Sequence, residues 1–375
     1  MRTTVEPREV GRGRVRMVAL AAILGLLGAL LAPAMALAKP PVQAQRPFQA
    51  MTYNVYLGTD LSPLFAITDP AELIQAAADA YQHVVDTDFN ERGEAIARQI
   101  VEASPEVVGL QEVSLWQTAP LTDPSEMTTQ YDFLAILLGQ LAAKGHPYEA
   151  VSVNETFSAS LPISTETLCL WTDRNVILVR DDHSSPNVIT DNPMEGKYQA
   201  TLPVQIGGQP LDVTRGWASA DVKIRGRWFR LVTTHLEAYH AGIRYLQTLE
   251  LMALTSASPY PVVLAGDLNW YPPGLRPEDA PAWLAISGAG FVDSWFEAEG
   301  IGPGYTASFG DDLNADPSAL DNRVDYVLHN ADGVLDAVVG TADVVGDRLE
   351  DRTLVRNWWP SDHAAAIVTL KFTKD

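Results

Sequence analysis

"PVVLAGDLNW", residues 261–270, sets a hydrophobic run directly against Asp267, with Asn269 two places further on. Such a run reads as a short buried strand, and strand side chains repeat with period two. A strand continued through these positions turns Asp267 and Asn269 to the same side. Two oxygen-rich groups at a strand end can hold a metal or a substrate. Gly, Asp and Asn also populate ordinary turns, so this stretch alone leaves both readings open.

The same arrangement recurs along the chain. "FQAMTYNVYLG" (48–58) is strand-like and carries Asn54, and "VVGLQEV" (107–113) carries Glu112. Between them, apolar residues recur at three and four places over 70–80 and 91–103, which predicts two helices. In the second helix Ala95, Ile96, Ile100 and Val101 form the inner face. A third helix is expected over 131–145 with Gly145 as its stop. The Ser/Thr-rich region up to Thr172 shows no clear period. "NVILVR" (175–180) is a strand, 181–197 reads as a loop, and "YQATLPVQI" and "WASADVKIRGRWFRLVTTHL" read as strands. In the latter, Arg225, Gly226 and Arg227 mark a hairpin turn. "YLQTLELMALTSA" predicts a helix ahead of 261–270, and "RVDYVLHN" and "HAAAIVTLKF" are closing strands. With no repeat, linker or break in composition, residues 48–375 are expected to form one α/β domain containing a substantial sheet.

Residues 1–38 stand apart. Arg8, Arg12, Arg14 and Arg16 precede an uncharged stretch from Met17 to Ala38 that ends in Ala-Leu-Ala, which reads as a cleaved export signal. The protein is then secreted or periplasmic; the alternative is anchoring by an uncleaved segment, since about 20 apolar residues can span a bilayer. Residues 39–47 are proline-rich and are expected to form an extended approach. Cys169 is the only cysteine, so no intramolecular disulfide forms, and it reads as a packed hydrophobe. Net charge is −21, and the first 38 residues carry five Arg against two Glu, so removing their +3 leaves −24. Such a surface repels phosphate backbones and disfavours a polymeric nucleic acid as partner.

Collecting the polar groups beside strand-like runs gives Asn54, Glu112, His235, Asp267, Asn269, Asp325, Asp362 and His363. Hard oxygen donors without clustered cysteines favour Mg2+, with Mn2+ or Ca2+ as alternatives, over structural zinc. Two histidines add acid and base capacity near neutral pH.

The ordered set "TYNV", "GLQEV", "TTHLE", "AGDLNW", "RVDYVL" and "WPSDHAAAIV" resembles the endonuclease/exonuclease/phosphatase superfamily of metal-dependent phosphoesterases over about residues 48–372. The resemblance implies a four-layer α/β sandwich, two mostly antiparallel sheets face to face between helices. It implies that Asn54, Glu112 and Asp362 lie on the metal side, with Glu112 the principal ligand. Asp267 is implied to orient or deprotonate the attacking water, Asn269 to hold a phosphate oxygen and His235 to stabilise developing charge. His363, oriented by Asp325, is implied to act on phosphate or water.

The expected activity is metal-assisted hydrolysis of a phosphodiester or phosphomonoester of a small molecule or lipid headgroup, with no obligate protein partner. An extracellular nuclease is one alternative, favoured if Arg174, Arg225, Arg227, Arg230 and Arg323 share a groove. A non-catalytic binding protein on the same fold is the other. Trp270, Tyr271, Pro272 and Pro273, with Trp358 and Trp359, flank the motifs and are candidates for transient contact with a membrane surface, packing being the simpler role. Segment 114–174 is a large excursion expected to shape the cleft rim or to pack outside it.

Overall fold

Val262 to Ala265 is apolar at every position because both faces of that strand are covered. In a computed structural model, which describes residues 47–372 except 182–187, 273 and 331–334 and leaves aside the side chains of 335–340, Val263 and Ala265 point toward a second sheet. Val262 and Leu264, the alternate residues, pack under helices. This is how strands buried on both faces lose the polar half of their alternation. The expected signal at 1–38 and nearly all of the 39–47 approach lie outside the described residues, as does Pro273.

One sheet has eight strands: β1 (Phe48–Asn54), β2 (Val107–Gln111), β3 (Leu115–Pro120), β4 (Thr128–Asp132), β5 (Tyr148–Pro162), β6 (Thr167–Arg180), β15 (Leu335–Val345) and β16 (Ala365–Phe372). Their order is β15-β16-β1-β2-β6-β3-β4, with β5 along the other edge of β6. The other sheet has six: β7 (Val188–Lys197), β10 (Gly216–Ile224), β11 (Arg227–Thr234), β12 (Val262–Asp267), β13 (Phe291–Asp293) and β14 (Asp325–Asn330), ordered β13-β14-β12-β11-β10-β7. Among the described residues only the β1–β2 and β11–β12 strand pairs are parallel, and β8 (Leu202–Ile206) with β9 (Gln209–Val213) forms a separate hairpin. The expected mostly antiparallel pair of sheets is what the chain forms.

Three apolar layers separate four structural ones. Phe48, Ala50, Val107 and Ile177 of the first sheet meet Ala218, Phe229, Leu231 and Val327 of the second. Met51, Val108, Leu110 and Leu178 face outward under α2 (Phe89–Ala103) and α3 (Phe133–Ala143), which follow α1 (Pro70–Thr87). Beyond the second sheet, Val232 and Leu264 are covered by Leu251 of α4 (Ala241–Ser256) and Ile286 of α5 (Ala280–Gly288). A short α6 (Ser294–Glu299) completes the helices among the described residues. Two glycines allow close backbone approach near the strand ends, Gly109 between the two sheets and Gly266 between β12 and β11 of one sheet. A Cβ on Gly109 would stand 2.4 Å from the Ala265 carbonyl oxygen, and one on Gly266 2.5 Å from that of Thr234.

The first helix outruns its expected end near residue 80 and stops at Thr87, because nothing breaks it before Asp88, which takes a left-handed φ of 35°. Residues 148–180 form one long hairpin, and 188–197, read as a loop, are the edge strand β7. "YQATLPVQI" pairs only from Leu202. The 225–227 turn is tighter than expected, since Arg225 and Gly226 carry the positive φ angles and Arg227 already pairs with Ile224.

Candidate active site

The sheet registers bring the singled-out residues to one end of the sandwich. Asn54 and Gln111 are partners across β1 and β2, and Glu112 follows at φ 58°. Asp267 pairs with Asp325 across β12 and β14, and His235, just past β11, bridges to Asp267. His363 bridges to Ala307 ahead of β16. The β12 strand ends at Asp267 and Asn269 takes φ 50°. Both lie in the cleft, so the opening stretch is a turn and a site at once, and not a continued strand.

Asn54 Nδ2 donates to Glu112 Oε1 and to Asp267 Oδ2, both at 3.0 Å, while its own Oδ1 accepts the Tyr56 N–H. Asn54 therefore serves here as a bridge between the two carboxylates. Glu112 Oε2 accepts the Leu57 N–H at 2.7 Å. Asp267 Oδ1 accepts the Asn269 N–H, and Asn269 Nδ2 is held by the Leu236 carbonyl. Ser361 Oγ donates to the Asn54 carbonyl and accepts the His363 N–H, joining the final loop to β1. Buried Arg92 strengthens that join by donating to the carbonyls of Val55, Tyr56 and Pro360.

His363 Nδ1 lies 2.8 Å from Asp325 Oδ2. Burial opposes its charge, but Asp325 and Asp362 outweigh that and hold its pKa well above the ordinary histidine value. His235 is held well below that value by burial, by Arg215 and by His363. The Arg215 guanidinium, 3.2 Å from His235 Nδ1, can only donate, so that nitrogen accepts and the proton sits on Nε2, 3.5 Å from Asp267 Oδ2. Burial and then Asp325 push Asp267 up to about 7, and burial and then Asp362 raise Glu112.

These carboxylates resist ionisation because they are buried and face other carboxylates. Asp325 Oδ1 is buried without a hydrogen-bond partner. Asp267, Asp325 and His363 each offer one ligand atom, all within 4.8 Å of one another. The donor set therefore fits a divalent cation, which would meet the unpartnered oxygen and offset the clustered charge.

A cleft of about 240 Å³ contains Glu112, His235, Asp267, Asn269, Asp362 and His363. Arg215 and Asp173 also line it, and sequence reading missed both. Asp173 Oδ1 is buried and unpartnered, and burial followed by the Glu112 charge pushes its pKa up to about 6. No sequence signal marks Arg215: it precedes β10, and continuing the register from the Trp217–Thr234 pair sets Gly216, not Arg215, opposite His235. Arg174, Arg225, Arg230 and Arg323 are engaged by Asp132, Glu106, Asp221 and Asp293, and Arg227 also has an interaction. None of these five lines the cleft among the described residues. Trp270 and Trp359 are fully buried, Tyr271 lies under the Arg276 guanidinium and Trp358 under that of Arg356. Cys169 is a buried free thiol whose pKa burial raises to about 12, as a packed hydrophobe requires.

The chain belongs to the Endonuclease/Exonuclease/phosphatase family, whose model matches residues 51–363. It is similar to an endonuclease/exonuclease/phosphatase from Beutenbergia cavernae, at 20% identity and TM-score 0.53, over 88% of this chain and 72% of that one. A Bacteroides vulgatus endonuclease/exonuclease/phosphatase matches at 13% identity and TM-score 0.52, over 88% and 100% of the two chains. Humanized D. rerio TDP2 matches at 16% identity and TM-score 0.51, over 87% and 99%. At these identities the likeness is one of fold. No curated protein matches the chain. Family membership and the Asp267–Asp325–His363 cluster together support metal-dependent phosphoesterase activity in general terms.

Proposed function

We propose that the protein is an exported, Mg2+-dependent phosphoesterase that hydrolyses a small-molecule or lipid-headgroup phosphoester by attack of water. The observation that carries this reading is the meeting of Glu112, Asp267, Asp325 and His363 at one cleft end, with Asp325 Oδ1 buried and unpartnered. Glu112, Asp362 and the carboxylates of Asp267 and Asp325 are the groups to hold the cation, with Asn54 fixing the Glu112 and Asp267 carboxylates. When bound, the cation supplies charge neutralisation at the phosphoryl oxygens.

Asp267, with its raised pKa, is suited to orient a water and take its proton. His235 presents a neutral Nε2–H to a phosphate oxygen, and Arg215 adds a fixed positive charge beside it. Asn269 is held at the turn where it can meet a second oxygen. His363, kept protonated by Asp325, can donate to phosphate or to the departing oxygen. Export rests on the basic and then uncharged run at 1–38, and the single cysteine is compatible with it.

Nucleic acid is disfavoured by the net charge and by the arginines committed elsewhere. The test is parallel turnover, with Mg2+, of bis-p-nitrophenyl phosphate, p-nitrophenyl phosphate, sphingomyelin vesicles and plasmid DNA. Faster hydrolysis of a small or lipid phosphoester than of plasmid is the expected result. Dominant plasmid cleavage would establish a nuclease, and inactivity of folded protein on all four would favour a binding protein.

A further inference from the structure

Away from the carboxylates, the wall of the cleft turns apolar: Leu57, Leu61, Phe157, Ile206 and Val213 line it with Trp171. A second cavity of about 50 Å³ shares Leu61, Ala159 and Trp171 with the first and reaches under α1 to Ala77, Tyr81, Leu161 and Cys169. The indole N–H groups nearby are used inside the protein. Trp171 Nε1 donates to Ser114 Oγ at 2.9 Å and Trp116 Nε1 to the Leu57 carbonyl at 3.1 Å, so both rings offer carbon to the cavity. Sugar hydroxyls or base edges placed there would lose hydrogen bonds to water without replacement. The inner cavity is about a third of the ~150 Å³ engineered cavity that accepts benzene, which favours a chain end over a ring.

We propose that the cleft takes a phosphoester bearing an unbranched aliphatic chain. Its phosphate lies at the carboxylate–histidine end and its chain runs along Leu57, Leu61 and Trp171 toward Tyr81 and Cys169. The placement of the phosphate rests on the phosphoesterase reading; the apolar arm stands on its own lining. The two cavities adjoin at Leu61, Ala159 and Trp171, so the apolar arm lies directly beside the polar end and its occupant is assigned to the same substrate.

Calorimetry of the purified protein in Mg2+ buffer with methyl-, butyl- and octylphosphonate, all kept monomeric, tests the arm without turnover. Affinity should rise about fourfold for each methylene that leaves water, until the arm is full. Ala159→Phe, which fills the shared wall, and Leu161→Glu, which puts a charge at the far end, should each flatten the series. Two variants guard against one that fails to fold. Equal affinity for methyl- and octylphosphonate in wild type would overturn the proposal, as would a chain-length dependence that survives both folded variants. Turnover of bis-p-nitrophenyl phosphate, measured on the same samples, separates the two readings. Chain-dependent binding without hydrolysis would keep the arm and remove the phosphoesterase, and hydrolysis with a flat series would do the reverse.

Discussion

His235 and His363 both lie beside Asp267 in one cleft, yet their pKa values are driven in opposite directions. Burial disfavours charge on His235 and the facing Arg215 adds to it, so the ring is held toward the neutral form. Asp325 faces His363 and overcomes burial, so that ring stays charged. One cleft thus favours a neutral ring at His235, through burial and then Arg215, and a charged ring at His363, through Asp325 and Asp362.

Removing the charged ring should have the largest effect. His363→Ala is expected to lower kcat about 10³-fold, within the range for a positioned acid or base. Steady-state kinetics on folded protein check this, and a loss under tenfold would deny His363 its role. Arg215→Met attacks the other side. It should cut kcat/KM about 10²-fold, as loss of one donor to developing charge does, and let the His235 pKa rise toward the ordinary histidine value. Histidine titration by NMR reads the second effect, and an unmoved His235 would break the contrast between the two rings.

Asp173 supplies the smallest and most selective test. Its pKa is raised from 3.8 to about 6, so the folded chain retains a proton that the unfolded chain releases. The ionised carboxylate therefore destabilises the fold above pH ~6, and that penalty fades as pH falls toward the unfolded value. Asp173→Asn should stabilise by about 1–3 kcal/mol at pH 8 and by little at pH 4. Thermal melts that shift equally at both values would contradict the assignment.

The site was largely legible because its residues end buried strands. A carboxylate against "VVLAG" or "VVGLQ" conflicts with its surroundings, and that conflict shows in one dimension. Arg215 shows no such conflict, since its importance depends on its side chain reaching His235 from outside β10. The 148–180 hairpin was illegible for another reason. The β5 strand alternates poorly, with exposed, intermediate and buried positions mixed, and register shifts break its pairing with β6 near Ser152 and Phe157. The β7 edge strand has no fully buried residue, mixes Val188, Ile189 and Met194 with polar residues and a proline, and pairs through backbone along one side, a pattern that reads as loop. The buried Trp270 and Trp359 show that an aromatic beside a motif need not face solvent. Segment 114–174 does shape the cleft, through Phe157, Ala159, Trp171 and Asp173.

On the proposed mechanism the converging carboxylates need a divalent cation to hydrolyse a phosphoester. The most direct measurement strips the purified protein with chelator and follows bis-p-nitrophenyl phosphate turnover as Mg2+ is restored, with calorimetry of the ion in parallel. Activity lost on chelation and regained saturably over the range in which the ion binds is the predicted result. Full activity in the chelated protein, or no ion bound by folded protein, would contradict it.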